Sequence, residues 1–494
     1  MWKANIVLAL ALLVAFVAVY HGADLKVPFL VQIAKAPTAS PPGDVPLPPT
    51  TAPRPTTQVE SPSPVRVLPP PSDSQVGPLS FRVRPAAGAV GLGSSGEVFV
   101  LVSLESAVTE ARTRLPLNVA LVLDRSGSMA ARNKLEYAKK AAKIVVNQLT
   151  SRDRFALVAF DSVSTVLLPS TQVTDPAAIC NAIDALTPGG STNLSQGMLD
   201  GKNEAAKFFK KEQINRILLL TDGLANFGVT NSRELAQMAK EIGEAGIAIT
   251  TLGLGADYSE ETLLNVAEYS GGRYHFIENP EQMAAIYQSE VKGLLQTVAR
   301  NVKVQIHPGA GASVEQLYGY RGPARAAGEP LHLGDMFSGQ TRKLIARMRV
   351  PAGQVGRQSP VLTVSLSFED VARSAGVTAT KQIGIAVSAD QAEVERSIDL
   401  EVQEKVESVR AAVKLEEAML YLDRGQREAG KQILMDQVRN SRRANDRYFR
   451  STSLARQVLQ MEQAAQAIDR LSGQSEAYRN YVKQNRWSAY DLSR

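Results

Sequence analysis

The chain has 494 residues, 44% of them hydrophobic, with a formal net charge of +6 and an isoelectric point near 9.2. That length accommodates roughly two to four domains with sizeable cores. The single cysteine, Cys180, excludes an intramolecular disulfide framework and a cysteine zinc site; the modest basic excess comes with no aromatic-rich basic module, so no nucleic-acid partner is expected.

The N-terminus carries Lys3 and then the apolar run Ala4 to Tyr20, whose only clearly polar member is Asn5. Such a run, about 17 residues long, is near the lower limit for a membrane span and slightly long for a signal-peptide core. The small-x-small triplet Ala34-Lys35-Ala36 is followed by Pro37, which does not suit a cleavage site, and no cysteine follows the core to carry a lipid. Residues 1–23 therefore read as an uncleaved signal anchor. With Lys3 inside, the rest of the chain is placed outside the cytoplasm, in the periplasm or cell envelope, as a single-pass membrane protein. A cleaved signal peptide, giving a secreted protein, is the alternative. Residues 24–78 read as a proline-rich linker: 13 of the 26 prolines fall between Pro37 and Pro71. A stretch of that composition builds no core and samples extended polyproline II, reaching on the order of 100 Å.

Globular patterning starts at Leu79. Ser80-Phe81-Arg82-Val83-Arg84 and Val98-Phe99-Val100-Leu101-Val102 read as strands of a segment spanning 79–115. Over 116–295 strands and helices alternate, the pattern of a doubly wound, mostly parallel sheet. Val119 to Leu123, Phe155 to Phe160, Ile217 to Leu220 and Ile247 to Leu252 are short continuous apolar runs, as strands buried on both faces require. Between them, Leu135, Ala138, Ala142, Val145, Val146 and Leu149 recur with the helical period, and Cys180 reads as a small buried side chain on a further helix. Over 298–390 the period returns to two, with Leu362, Val364, Leu366 and Phe368 alternating with polar residues. The two early strands cannot stand alone. Residues 79–115 and 298–390 are therefore expected to form one antiparallel β-sandwich with the α/β domain inserted in it. Residues 391–494 read as helical, with a helix hairpin of the tetratricopeptide kind around Gly425, a further break at Gly473 and a basic patch from Arg439 to Arg456. The α/β domain and the sandwich are each expected to bury their own apolar faces, so this helical region is expected to be dispensable for folding.

Three strings carry the chemistry. Asp124-Arg125-Ser126-Gly127-Ser128 follows the first apolar strand, Gly190-Ser191-Thr192 falls in a later loop, and Thr221-Asp222-Gly223 follows a second apolar strand. Each emerges where open α/β sheets bind ligands. Two carboxylates and three hydroxyls with no His or Cys suit a hard cation such as Mg²⁺, Mn²⁺ or Ca²⁺. A degenerate site, or serines that only cap the next helix, is the competing reading.

At these residues the chain resembles the von Willebrand factor type A family, whose metal-ion-dependent adhesion site reads D-x-S-x-S, then T, then D. The resemblance implies a metal held by Asp124, Ser126, Ser128, Thr192 and Asp222: the serines directly, Thr192 directly or through water depending on state, and the aspartates mostly through bridging waters. Two partly shielded carboxylates leave a divalent ion electrophilic, and the family fills its open position with a carboxylate from a protein partner. A preference for octahedral geometry favours Mg²⁺ or Mn²⁺ over Ca²⁺. No catalytic residues and no enzyme activity are expected: His275 is the one histidine of the α/β domain and lies in a strand, and no nucleophile elbow, phosphate loop or zinc signature occurs. The expected function is a membrane-anchored envelope module that captures an acidic residue of a partner protein. The alternative is an envelope scaffold that acts through its C-terminal helices, with a regulatory or silent metal site.

Overall fold

The computed structural model describes residues 74–108, 114–309, 311–322, 327–355, 359–470 and 475–493. The anchor expected at 1–23, the linker up to residue 73 and the break at Gly473 lie outside the described residues. No helix among the described residues is long and apolar enough to cross a membrane.

The first strands are β1 (Ser74–Val76), β2 (Leu79–Pro85), β3 (Ala89–Gly91) and β4 (Glu97–Ser106). The chain enters the sheet before Leu79, since Ser74–Val76, placed in the linker because globular patterning starts at Leu79, pairs antiparallel with β2. Leu79, Phe81 and Val83 alternate inward, as a sheet with one wet face demands.

The α/β layer follows: β5 (Leu117–Asp124), α1 (Lys134–Gln148), β6 (Arg154–Phe160), β7 (Ser164–Gln172), α2 (Pro176–Asp184), α3 (Leu194–Lys207), β8 (Ile214–Thr221), α4 (Ser232–Glu244), β9 (Ala248–Leu254), α5 (Glu260–Ser270), β10 (Tyr274–Ile277) and α6 (Met283–Leu295). The strands form one sheet in the order β10-β9-β8-β5-β6-β7, parallel except for β7, which returns antiparallel to β6 at the edge. All eight residues of β5 and of β8 are buried, which explains their unbroken apolar character. Helices α1, α2 and α6 cover one face and α3, α4 and α5 the other, each closing its own apolar core. Cys180, on α2, packs half-buried at the edge of the first core rather than within it.

The sandwich closes with β11 (Thr297–Pro308), β12 (Ser313–Tyr318), β13 (Leu331–Phe337), β14 (Thr341–Arg349), β15 (Ser359–Asp370) and β16 (Ala375–Ser388). Its sheets run β1-β2-β4-β14-β12 and β13-β11-β15-β16-β3. Strands from before and after the α/β layer share one core, in which Phe81, Val100 and Leu104 meet Leu344, Val364 and Phe368. The α/β layer is thus an insertion, entered after Ser106 and left at Thr297.

The remaining elements are helical: α7 (Gln391–Arg396), α8 (Leu400–Asp423), α9 (Arg427–Ala444), α10 (Thr452–Arg470) and α11 (Glu476–Ser493). Gly425, at a φ of 76°, makes the turn between α8 and α9. These helices share a core of their own, but they are not detached from the rest. Tyr490 of α11 belongs to the apolar core formed by α3, α4 and α5, with Trp487 packed beside it. Arg84 of β2 is paired with Asp399 and Glu401 at the start of α8. The region expected to be dispensable for folding thus packs on the α/β layer, its last helix adding Tyr490 to the face that α3, α4 and α5 cover.

Candidate metal centre

The chain crosses from β5 to β6 on one side and later returns to β8 on the other, so β5 and β8 flank the point where strand order reverses. That is where a crevice opens at the carboxyl edge of a doubly wound sheet. Asp124 is the last residue of β5, and Asp222 follows the last residue of β8; both are fully buried.

Asp124 is held at both oxygens. Its Oδ1 accepts the Ser126 amide at 2.8 Å and its Oδ2 accepts the Thr221 hydroxyl at 2.5 Å. Burial pushes its carboxyl up to about 6, against the hydrogen bonds from Ser126 and Thr221 that favour the charged form. The Ser126 hydroxyl lies 3.1 Å from that of Ser128, and Ser128 donates to Asp222 Oδ1 at 2.6 Å. The other oxygen of Asp222 accepts Lys134 Nζ, also at 2.6 Å. Thr192 is buried and faces the same spot: a Cβ placed on Gly223 would lie 3.3 Å from its hydroxyl and 3.8 Å from that of Ser128. Asp124, Ser126, Ser128, Thr192 and Asp222 are therefore brought together in one cluster.

The surrounding loops hold them there. Gly127 donates its amide to the Gly190 carbonyl at 3.0 Å, which ties the first string to the second. Gly189 must lack a side chain, because a Cβ there would stand 2.0 Å from Asp161 Oδ2. Asp161, the one further carboxylate at this edge in the sequence reading, is paired with Arg125 at 2.9 Å and so is neutralised. The Thr192 amide donates to Asn226 Oδ1 at 2.8 Å, and Asn226 returns its own amide to the Thr192 carbonyl at 3.1 Å. Three exposed apolar side chains, Val163 (60% exposed), Leu224 (56%) and Phe227 (53%), come from the loops that carry Asp161, Asp222 and Asn226.

Sequence reasoning overlooked three participants. Thr221 stood in a quoted string but was given no role, although it closes the hydrogen-bond shell of Asp124. Asn226 orients the Thr192 loop. Lys134 carried no signal at all, because a lysine in the first turn of a helix ordinarily reads as solvated. His275 is bonded through Nε2 to Glu290 on α6 at 3.0 Å, and Glu290 also accepts the Thr250 hydroxyl at 2.7 Å. Burial pushes the Glu290 carboxyl up, but the His275 bond and the charges of His275, Arg273 and Arg216 outweigh it and hold the group well below the usual carboxylate range.

The donor set tests the fit to a metal. Two buried carboxylates and three hydroxyls are all hard oxygens, and Asp222 already binds a cation in the form of the Lys134 ammonium. The residues present fit a hard divalent cation, and would hold it through the groups of Asp124, Ser126, Ser128, Thr192 and Asp222.

Residues 118–289 match the von Willebrand factor type A domain family. The chain carries a von Willebrand factor type A domain. The uncharacterized protein YfbK of Escherichia coli is 35% identical over 190 residues, which cover 38% of this chain and 33% of that protein. The uncharacterized protein sll0103 of Synechocystis is 27% identical over 331 residues, 65% of this chain and 77% of that one. A solved von Willebrand factor type A protein from Catenulispora acidiphila superposes with a TM-score of 0.60 at 19% identity, covering 74% of this chain and 88% of its own. At that identity the likeness shows the fold alone. The type A domain occupies the inserted α/β layer, and the chain spans a third of the length of YfbK.

Proposed function

We propose that this type A domain binds a divalent cation, Mg²⁺ by preference, at Asp124, Ser126, Ser128, Thr192 and Asp222, and uses it to capture a carboxylate of a protein partner. The single observation that carries the reading is the convergence of these five side chains at one edge of the sheet, with Ser126, Ser128 and Asp222 linked by hydrogen bonds and Thr192 and Ser128 both facing Gly223. The chemistry follows from charge. Two carboxylates neutralise the ion and three hydroxyls add none, so it keeps affinity for one more anionic oxygen. The protein's own residues do the rest: Thr221 and the Ser126 amide fix the Asp124 oxygens, and Asn226 fixes the Thr192 loop.

Val163, Leu224 and Phe227 support a protein partner over a small anion. Large apolar side chains left exposed on neighbouring loops are a mark of interaction surfaces. The N-terminal apolar run and the proline-rich stretch after it support an anchor and spacer that hold the domain outside the cytoplasm, at the cell envelope.

Capture from envelope extract by the full-length chain in detergent tests the reading. Partner retained in millimolar Mg²⁺, released by EDTA and lost in Asp222→Ala is the expected result. Retention in EDTA, lost instead when α9 and α10 are altered at exposed positions, would favour a scaffold acting through its helices.

A further inference from the structure

We infer that Lys134 is the resident counter-ion of the metal site, and that a divalent cation binds by displacing its ammonium from Asp222. This rests on the metal reading above, and it adds a residue that sets the affinity of that site.

Lys134 Nζ lies 2.6 Å from Asp222 Oδ2, while Ser128 takes Oδ1. Both oxygens of a fully buried carboxylate are therefore occupied, one of them by a cation whose side chain is only 13% exposed. The neighbouring charges leave Lys134 alone in this role: Arg125 is committed to Asp161, and Arg132 makes a two-pronged pair with Glu476 at 2.5 and 2.6 Å.

The backbone places Lys134 there at a cost. Arg132 and Asn133, neither of them glycine, have φ of 52° and 55°, the left-handed region that side chains disfavour. Lys134 is also the first residue of the 15-residue α1, so its positive charge sits at the positive end of the helix dipole. Two unfavourable local choices converge on holding one ammonium against Asp222. The ion pair answers for them, because without it two buried carboxylates would face each other uncompensated.

A divalent ion changes that balance. Against the two negative charges of Asp124 and Asp222, an ion and a retained ammonium would together carry three positive ones at close range in a poorly solvated site. The ammonium must leave. Its flexible four-carbon stem and its place at the rim of the site let it swing into water without unfolding α1. Metal binding is then an exchange of cations, and the affinity of the five oxygens is reduced by the work of expelling Lys134. Until an ion arrives, the same pair offsets one of the two negative charges of the site.

The test uses Mn²⁺ alone as probe, by calorimetric titration of the full-length chain. Lys134→Met, which keeps the stem and removes the charge, should bind at least about tenfold more tightly than wild type. Lys140→Met is the control for net charge: Lys140 is exposed on the same helix and lies over the Tyr137 ring at 5.1 Å, away from the site. It should stay within about twofold of wild type, since exposed charges are screened. A second measurement needs no variant: amine acetylation followed by mass spectrometry should modify Lys134 slowly in EDTA and much faster with saturating Mg²⁺. Wild type that binds Mn²⁺ while Lys134→Met binds no more tightly than Lys140→Met overturns the exchange and leaves the metal reading standing. Equal acetylation with and without Mg²⁺ overturns it too, even if the methionine variant does not fold. Failure of both wild type and Lys134→Met to bind Mn²⁺ overturns the exchange together with the metal reading.

Discussion

Tyr490, in the last helix, stands edge-on to Tyr274 of strand β10, with ring centroids 6.1 Å apart and planes at 67°. Its hydroxyl donates to Glu268 of α5, and both rings are buried. Around it, Lys483 donates to the Tyr258 carbonyl at 2.6 Å and sits over the Tyr258 ring, while Arg486 bridges Glu260 and Asp423. The helical region thus docks on the type A domain through an aromatic anchor ringed by ion pairs.

Tyr490→Ala should destabilise the protein by about 3 kcal/mol, the usual cost of deleting a buried aromatic ring. Urea unfolding monitored by circular dichroism measures it. Removal of residues 476–494 should go further and lower the stability of the type A domain itself, seen as faster amide exchange in α5 and β10. Unchanged exchange there would mean that the helix is only a lodger on that face.

Gly189→Ala puts a methyl group where Asp161 Oδ2 now lies, 2.0 Å from the new Cβ. The carboxylate or the loop must move, and the Arg125–Asp161 pair opens. A cost of about 2 kcal/mol is expected from such overpacking. Mn²⁺ affinity should fall as well, because the Gly127 amide and the Gly190 carbonyl tie this loop to the serines. Combined chemical denaturation and Mn²⁺ titration separate the two effects.

Glu290 gives the pH dependence. Its carboxyl is held below its unfolded value, near 4.3, so the folded state favours the ionised form. Its contribution is fully present above that pH and is lost as the pH falls through and below it. Glu290→Gln should lower stability at pH 7 by about 2 kcal/mol through weakened bonds to His275 and Thr250. The gap between wild type and variant should stay level down to about pH 5 and narrow in more acidic solution. A gap that widens on acidification would reverse the assigned sign.

The α/β layer was legible because its central strands are buried on both faces, which forces the unbroken apolar runs of β5 and β8. The five oxygen-bearing residues were legible because each follows a strand end or sits in a glycine loop. What escaped lacks periodicity. Strand β1 is three residues with a glutamine at its centre, and β7 contains Pro169 and lies at the sheet edge, where Ser170 is its one buried residue. The docking of α11 hid behind Lys483, Asn485 and Arg486, polar side chains that are neutralised or bonded where they lie. Lys134 escaped for the same reason: no local pattern distinguishes a lysine in water from one held on a buried carboxylate.

The central claim is that these five side chains hold a divalent cation, and thermal unfolding in the presence and absence of Mn²⁺ tests it most directly. A ligand that prefers the folded state must stabilise it, by about 2.7 kcal/mol at a hundredfold excess over its dissociation constant. Wild type should therefore melt several degrees higher in saturating Mn²⁺ than in EDTA, and Asp222→Ala should show no shift. A wild-type melting temperature that Mn²⁺ and Mg²⁺ leave unchanged up to millimolar concentration, or an equal shift in Asp222→Ala, would contradict the account.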